Sequence, residues 1–311
     1  MNFDILILGT SSAIPTTNRF PTSQIVNIYG VPMLLDCGEG TQLQLRRFHI
    51  SFGSIQHIFI SHLHGDHYYG LFGLLSTYKL FHREAVLNLY GPEELKNILW
   101  SKYSPVKVEE LDFEVNFHVL PKEGGIILDH KNFTVEAIPL YHSIETWGFI
   151  FREKRRLPNI IKSKIEEFNL SIEEIVKLKN GQIIVRSDGQ IITPEHVTLP
   201  PPLPRAYAYI SDTKFLPKLA EKLKDIDLLY HEATFDNEHK QKAINTLHST
   251  SEQAAMLAKQ ANVGKLVIGH FSITIEDMQS FYNQAKAIFS NTILAYDGLK
   301  LSIPQKSNLK K

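Results

Sequence analysis

The chain opens on an apolar run, residues 3–8, closed by the turn-forming stretch Gly9-Thr10-Ser11-Ser12. A short apolar run between turn signals predicts a buried strand. Residues 25–28 and 31–35 flank Tyr29-Gly30 and predict a hairpin, followed by Asp36-Cys37-Gly38-Glu39-Gly40 and a short helix over 41–48. Residues 55–60 predict another strand. Residues 68–80 are apolar on most sides and predict a buried helix, in which Gly70 and Gly73 mark close approach to neighbouring backbone. A strand over 86–90 and a helix over 92–103, with Pro92 at its first position, come next. Residues 111–120 and 126–138 alternate like β-structure, and 146–151 predict a further strand.

Residues 152–205 change character. Arg152, Lys154, Arg155 and Arg156 open the stretch and Pro200-Pro201-Pro202-Leu203-Pro204 closes it. A polar helix over 163–168 and a hairpin over 182–192 lie between, with few apolar residues in any core-facing period. The stretch reads as an arm of 152–205 inserted into one domain spanning 1–311, not as a second core. Beyond it, strands over 206–210, 227–230, 266–268 and 292–296 alternate with helices over 215–223, 249–260 and 275–288. Ser249 and Glu252 form the pattern of a capping box before the middle one. Strands followed by helices in this way predict an α/β fold.

Composition narrows the possibilities. With 33 Lys and Arg against 33 Asp and Glu, the formal net charge is zero, so binding to nucleic acid must come from a local patch. The one cysteine, Cys37, excludes an intrachain disulfide and a thiolate metal cage. The first residues lack a basic leader, and the first apolar run is too short to span a membrane, so a cytoplasmic protein is expected.

The chemistry concentrates where the strand over 55–60 ends. In Ser61-His62-Leu63-His64-Gly65-Asp66-His67, three histidines and an aspartate fall within six positions. Imidazole and carboxylate are ligands that a borderline-soft divalent ion such as zinc prefers. Without thiolates, a hydrolytic site with open positions fits better than a closed structural one. The same pattern, an apolar run followed by a ligand-type residue, recurs at Asp212, at His231-Glu232, at His270 and in looser form at His142. Chemistry in α/β proteins collects past the carboxyl ends of strands. The loop then supplies four ligands of a two-metal site, and His142, Asp212 and His270 supply three. Asp212, with two oxygens, is the natural bridge. Read alone, His142 is either a ligand or a hydrogen-bonded loop histidine, and His231 either joins the site or is a buried histidine that holds Glu232.

His62-x-His64-x-Asp66-His67 with a later His, Asp and His resembles the metallo-β-lactamase superfamily. That resemblance implies an αββα sandwich of two mixed sheets with two zinc ions at one edge. His231-Glu232-Ala233-Thr234 and His248-Ser249-Thr250 resemble the HEAT and HST motifs of the ribonuclease Z family of tRNA 3′-processing endonucleases, and the 36–42 loop and the position of the arm are similar to that family's. By that resemblance His62, His64 and His142 would hold one zinc, Asp66, His67 and His270 the other, and Asp212 would bridge. Asp66 would also position the attacking hydroxide, and Glu232 and His248 would deliver a proton to the leaving 3′-oxygen. The family further implies precursor tRNA as substrate and a homodimer in which one subunit's arm serves the other's site; no membrane partner is expected, because the first apolar run is too short to span one.

Three stretches depart from the family's pattern. Pro15-Thr16-Thr17-Asn18-Arg19-Phe20 lacks the Lys and Asn of its Pro-x-Lys-x-Arg-Asn loop. Leu170-Ser171-Ile172-Glu173 lacks the Gly-Pro-rich knob, and Ser272 is followed by Ile273-Thr274-Ile275 in place of an Arg-Tyr pair. These concern the grip on RNA and leave the metal chemistry intact. They keep open a metal-dependent phosphodiesterase acting on small nucleotides and, as a distinct class, an RNA-binding protein with a disabled site.

Overall fold

The computed structural model describes residues 2–275 and 277–306. These fall into two compact units, one of residues 2–152 with 206–303 and one of residues 153–205 with 304–306.

In the larger unit the first strand sets the plan. Along Phe3–Gly9, Phe3, Ile5 and Ile7 turn to one core while Leu6 and Leu8 turn to another. Successive strand side chains point to opposite faces, so a strand buried on both sides reads as a continuous apolar run. Seven strands form the first sheet, in the order Lys300–Ser302, Phe3–Gly9, Ser23–Ile28, Val31–Leu35, His57–Phe59, Leu87–Gly91, Val115–Val119. Seven form the second, in the order Thr292–Leu294, Leu266–Gly269, Leu228–Glu232, Ala206–Ile210, Trp147–Glu153, Phe133–Pro139, Gly125–Asp129. Between the sheets, Val26, Met33, Leu35 and Phe59 belong to one core with Val135, Phe149, Tyr207 and Tyr209. Each such side chain contributes roughly 1.5–3 kcal/mol by leaving water.

The outer face of the first sheet presents Leu34, Ile58 and Leu89 to Leu45 of the helix Thr41–Arg47 and to Leu71, Leu74 and Leu75 of the helix Gly65–Leu80. Gly70 faces Gly38 so closely that a Cβ would run into the Gly38 carbonyl oxygen, which accounts for a glycine inside this helix. The outer face of the second sheet is covered by Ala254, Leu257 and Ala258 of Ser251–Gln260 and by Phe281 and Ala285 of Met278–Ile288. Helix, sheet, sheet and helix layers make up the αββα sandwich of two mixed sheets that the resemblance to the metallo-β-lactamase superfamily implies. Val31–Leu35 to Val115–Val119 run parallel in the first sheet, as do Ala206–Ile210 to Thr292–Leu294 in the second.

Several element bounds differ from expectation. The run over 126–138 is two antiparallel strands, and the helix over 92–103 ends at Leu99, with Pro92 as its N-cap. The helix expected over 275–288 starts at Met278, capped by Asp277; Glu276 lies outside the described residues. The capping box belongs to Thr250 and Gln253, because the Ser249 hydroxyl donates instead to the Thr213 carbonyl oxygen at 2.8 Å. Lys240–Thr246 is a helix that no apolar period announces. Among the described residues no helix is long and apolar enough to cross a membrane.

The smaller unit does hold an apolar cluster of its own, Leu170, Leu178, Ile192 and Val197. Its helix Ile172–Lys179 starts from a capping box on Ser171 and Glu174. Arg186 donates to both Glu174 oxygens, at 2.9 and 3.0 Å. The ends of the stretch, Glu153 and Arg205, meet in a buried ion pair at 2.8 Å.

Candidate metal centre and active site

The carboxyl ends of the strands deliver the ligand-type residues. After His57–Phe59 the chain turns through His62 and His64 into the helix Gly65–Leu80, whose first turn carries Asp66 and His67. His142 follows Phe133–Pro139, Asp212 follows Ala206–Ile210, and His270 follows Leu266–Gly269. Glu232 closes Leu228–Glu232, and His248 lies between Lys240–Thr246 and Ser251–Gln260.

All nine predicted site residues come together. Ligand atoms of His62, His64, His142 and Asp212 lie within 4.8 Å of one another, as do those of Asp66, His67 and His270. The two Asp212 oxygens divide between these groups. Oδ2 is 3.5 Å from His62 Nε2 and 3.8 Å from His142 Nε2, while Oδ1 is 3.4 Å from His67 Nε2 and 3.3 Å from His270 Nε2. His248 also comes within 4.8 Å of Asp212 and His270, although its Nδ1 is engaged elsewhere. His231 joins no such group. Its Nδ1 faces the Glu232 carbonyl oxygen at 2.6 Å inside the sheet, as a buried structural histidine would.

The second nitrogen of four of the imidazoles is held from behind. His142 Nδ1 donates to the Leu247 carbonyl oxygen at 3.0 Å, and His67 Nδ1 donates to Asp36 Oδ2 at 2.8 Å. The Thr234 hydroxyl donates to Glu232 Oε2 at 2.9 Å, which leaves its oxygen to accept from His270 Nδ1 at 3.0 Å. Ser61 Oγ likewise donates to Asp36 Oδ2 at 2.9 Å and faces His62 Nδ1 at 3.0 Å. The lone pairs on the Nε2 atoms of these four histidines then point inward. His67 Nε2 and His270 Nε2 stand 3.3 Å apart, an approach of two acceptors that a shared cation makes favourable. Buried His62 Nε2 and Asp212 Oδ1 have no hydrogen-bond partner. Orphaned inward-facing lone pairs backed by outer donors and acceptors fit a metal ion.

Electrostatics agree. Burial pushes His62 down to about 4, so it is a neutral ligand at physiological pH. Burial opposes charge on His67, yet Asp212, Asp66 and Asp36 outweigh it and raise that imidazole well above its usual value. Burial would raise Asp66, but His67 and His270 hold it well below the usual carboxylate range. This carboxylate cluster calls for positive charge at its centre.

Asp36, Ser61, Thr234, Tyr209 and the Ala13 backbone were not singled out from sequence. Asp36 is fully buried and accepts from Ser61 N, Ser61 Oγ, His67 Nδ1 and the Tyr209 hydroxyl, the last at 2.6 Å from the opposite sheet. Ala13 N–H donates to Asp66 Oδ2 at 2.7 Å. Ala13, Asp36, Leu247 and His270 all have positive φ, between 52° and 62°. Each such residue costs roughly 1–3 kcal/mol, and strain of this kind concentrates at functional sites.

Beside the ligand groups, His248 Nδ1 lies 3.0 Å from Glu232 Oε1. That oxygen also accepts from Thr213 N and Ser249 N, and the other from Thr234 N, so Glu232 is fixed from several sides. Burial works against charge on His248, but Glu232 outweighs it and raises the imidazole to about 9. Glu232 thus favours the protonated imidazole. With Nδ1 occupied by Glu232, Nε2 is the nitrogen left to give up a proton. His64, Asp66, Asp212, His248 and His270 line one cavity of about 430 Å³.

Fold and site together define a metallo-β-lactamase-fold protein whose histidines and aspartates suggest a bound metal ion. The chain is 42% identical over 302 residues to ribonuclease Z of Bacteroides fragilis (strain YCH46), covering 97% of this chain and 99% of that protein. It is 38% identical over 305 residues to ribonuclease Z of Porphyromonas gingivalis (strain W83), covering 97% and 99%. The crystal structure of human tRNase Z, short form, superposes with a TM-score of 0.68 at 27% identity, covering 97% of this chain and 99% of that one. YhfI from Bacillus subtilis, a metallo-β-lactamase-fold protein, superposes with a TM-score of 0.69 at 16% identity, covering 97% and 100%, and shares the fold. Residues 3–164 match the family model described as Anti-Pycsar protein Apyc1, a stretch that includes His142 and stops short of Asp212, Glu232, His248 and His270. The chain belongs to the ribonuclease Z family, and its residues 3–164 belong also to the family described by that model.

Proposed function

We propose that the protein is a zinc-dependent endoribonuclease that removes the 3′ trailer of precursor tRNA and leaves a 3′-hydroxyl on the tRNA. The observation that carries this reading is the Glu232–His248 pair, 3.0 Å apart, whose His248 lines the same cavity as members of both ligand groups. His62, His64 and His142 would hold one ion, Asp66, His67 and His270 the other, with Asp212 between them. Two divalent ions, when bound, acidify water and neutralise charge on the phosphodiester.

The chain's own residues do the rest. Asp66, anchored by Ala13 N–H, orients the attacking water toward phosphorus. The bond from phosphorus to the ribose 3′-oxygen breaks, and His248 gives its Nε2 proton to that oxygen. Glu232 keeps the imidazole oriented and stabilises its charged form beforehand. Water's oxygen stays on the trailer as part of its 5′-phosphate, and the proton that water sheds to solvent is matched by the one that returns to His248 after the cut. Residues 153–205 would hold the body of the tRNA, and a homodimer and a cytoplasmic location complete the reading, supported by the kinship with ribonuclease Z.

The test is incubation of purified, zinc-loaded protein with a 3′-extended precursor tRNA and, separately, with bis(p-nitrophenyl) phosphate. Cleavage of the precursor at the end of the acceptor stem is expected. Hydrolysis of the small diester with no cut in the precursor would favour the second reading, a phosphodiesterase on small nucleotides. That reading draws on the missing Lys and Asn of 15–20 and the missing Arg after Ser272.

A further inference from the structure

Positive charge is scarce where the RNA would have to enter. Among the residues lining the cavity of the candidate site, Lys242 is the one lysine or arginine. Arg19, the cation of the 15–20 loop, is turned to other work. Its guanidinium lies 5.2 Å over the Phe271 ring and interacts with Asp297, which also fastens the loop by accepting from Phe20 N and from Thr10 Oγ1, both at 2.7 Å. The segment after His270 offers Ser272-Ile273-Thr274-Ile275 and no cation. A chain with zero net charge has no global field to replace these contacts.

Lys242 is well placed to supply one. It stands four residues before Thr246 on the helix Lys240–Thr246, so both side chains share a face, and both line the cavity. Its ammonium lies 5.1 Å from the ring of Phe235, a buried residue next to Thr234. A cation over an aromatic face keeps a flexible stem in one region while leaving donors for a ligand. The same helix runs through Leu247, in left-handed conformation, directly into His248. His248 addresses the leaving oxygen, which belongs to the tRNA and not to the trailer.

We propose that Lys242 binds a backbone phosphate of the tRNA 3′ end, on the tRNA side of the scissile bond, and so grips substrate and mature product alike. The inference rests on the precursor-tRNA activity proposed above. It makes Lys242 a binding and specificity residue that takes over work the loop 15–20 and the segment after His270 leave undone.

The experiment compares wild type with Lys242→Gln and Lys242→Arg as zinc-loaded full-length proteins. Lys242 is exposed, and equal melting temperatures would confirm intact folds. With Lys242→Gln, KM for precursor tRNA should rise about tenfold, with the loss falling on KM more than on kcat. The slope of log kcat/KM against log salt should become shallower by about 0.7, the worth of one single-strand phosphate contact, and Lys242→Arg should restore most of both. Binding of mature tRNA ending at the discriminator base should weaken by the same factor. Binding of a 5′-phosphorylated trailer oligonucleotide should stay unchanged. An unchanged KM and salt slope would overturn the assignment, as would weakened binding of the trailer in place of the tRNA. Wild type that binds but does not cut the precursor would instead bring down the proposed function, and this inference with it.

Discussion

At the residue scale, the site depends on how its imidazoles are held from behind. Asp36 collects the Ser61 amide, the Ser61 and Tyr209 hydroxyls and His67 Nδ1 on one buried carboxylate. Replacing it with Ala should weaken metal binding about 10- to 100-fold, read by competition with a chelating dye, because the tautomer and direction of His67 lose their anchor. Unchanged affinity would mean that His67 is oriented by packing alone. Cys37, next in the chain, should be inert. Burial raises its thiol to about 12, Asp36 pushes the same way, and hydrogen bonding to Thr41 only partly opposes them. Iodoacetamide at pH 8 should leave it unlabelled in the native protein and label it after unfolding; native labelling would show that the strand end opens. Of the nine predicted site residues, His62, Asp212, Glu232, His270 and, more loosely, His142 were legible because each follows an apolar run, His64, Asp66 and His67 because they crowd into one loop with His62, and His248 only through its resemblance to the HST motif. Asp36 and Thr234 sat in view within the same motifs. Their partners, His67 and His270, lie 31 and 36 residues away, and no local spacing reveals such a pairing.

At the element scale, long apolar strands were read well and the helix edges less so. Continuous apolar runs arise where a strand is buried on both faces, as along Phe3–Gly9, and their short length between turn signals separates them from buried helices. The helix Lys240–Thr246 escaped because one buried residue, Ala243, leaves no period to detect. The capping box fell one residue late because Ser-x-x-Glu and Thr-x-x-Gln overlap at 249–253, and the fold uses the Ser249 hydroxyl to bond the Thr213 carbonyl oxygen. Thr250→Ala should therefore destabilise the protein by about 1 kcal/mol in urea unfolding, whereas Glu252→Ala should cost only a few tenths. The reverse order would restore the capping box to Ser249. The small core of residues 153–205 was missed because Leu170, Leu178, Ile192 and Val197 come from separate short elements and share no period.

At the scale of the whole molecule, the centre is built by both sheets of the sandwich. The first sheet contributes His62, His64, Asp66 and His67, and the second contributes His142, Asp212, Glu232 and His270. Metal binding should thus join the two sheets. Ions that bind the folded chain and not the unfolded one add stability by mass action, about 2.7 kcal/mol at a hundred times Kd. Removing metal with a chelator should lower the melting temperature by several degrees, and added zinc should restore it. A melting temperature indifferent to both would speak against a resident ion.

On the proposed reading these groups cut precursor tRNA, with His248 supplying the proton to the leaving oxygen. Single-turnover cleavage of a 3′-extended precursor tRNA by wild type and His248→Ala, with the zinc content of both proteins and the chemical ends of the products determined, tests it most directly. The structure leads us to expect wild type to yield tRNA with a 3′-hydroxyl and a trailer with a 5′-phosphate. His248→Ala should keep its zinc and be slower by a factor on the order of 100 or more. An equally fast variant, or a slow one that has also lost its zinc, would contradict the role assigned to His248, and products ending in a 3′-phosphate would contradict the reaction itself.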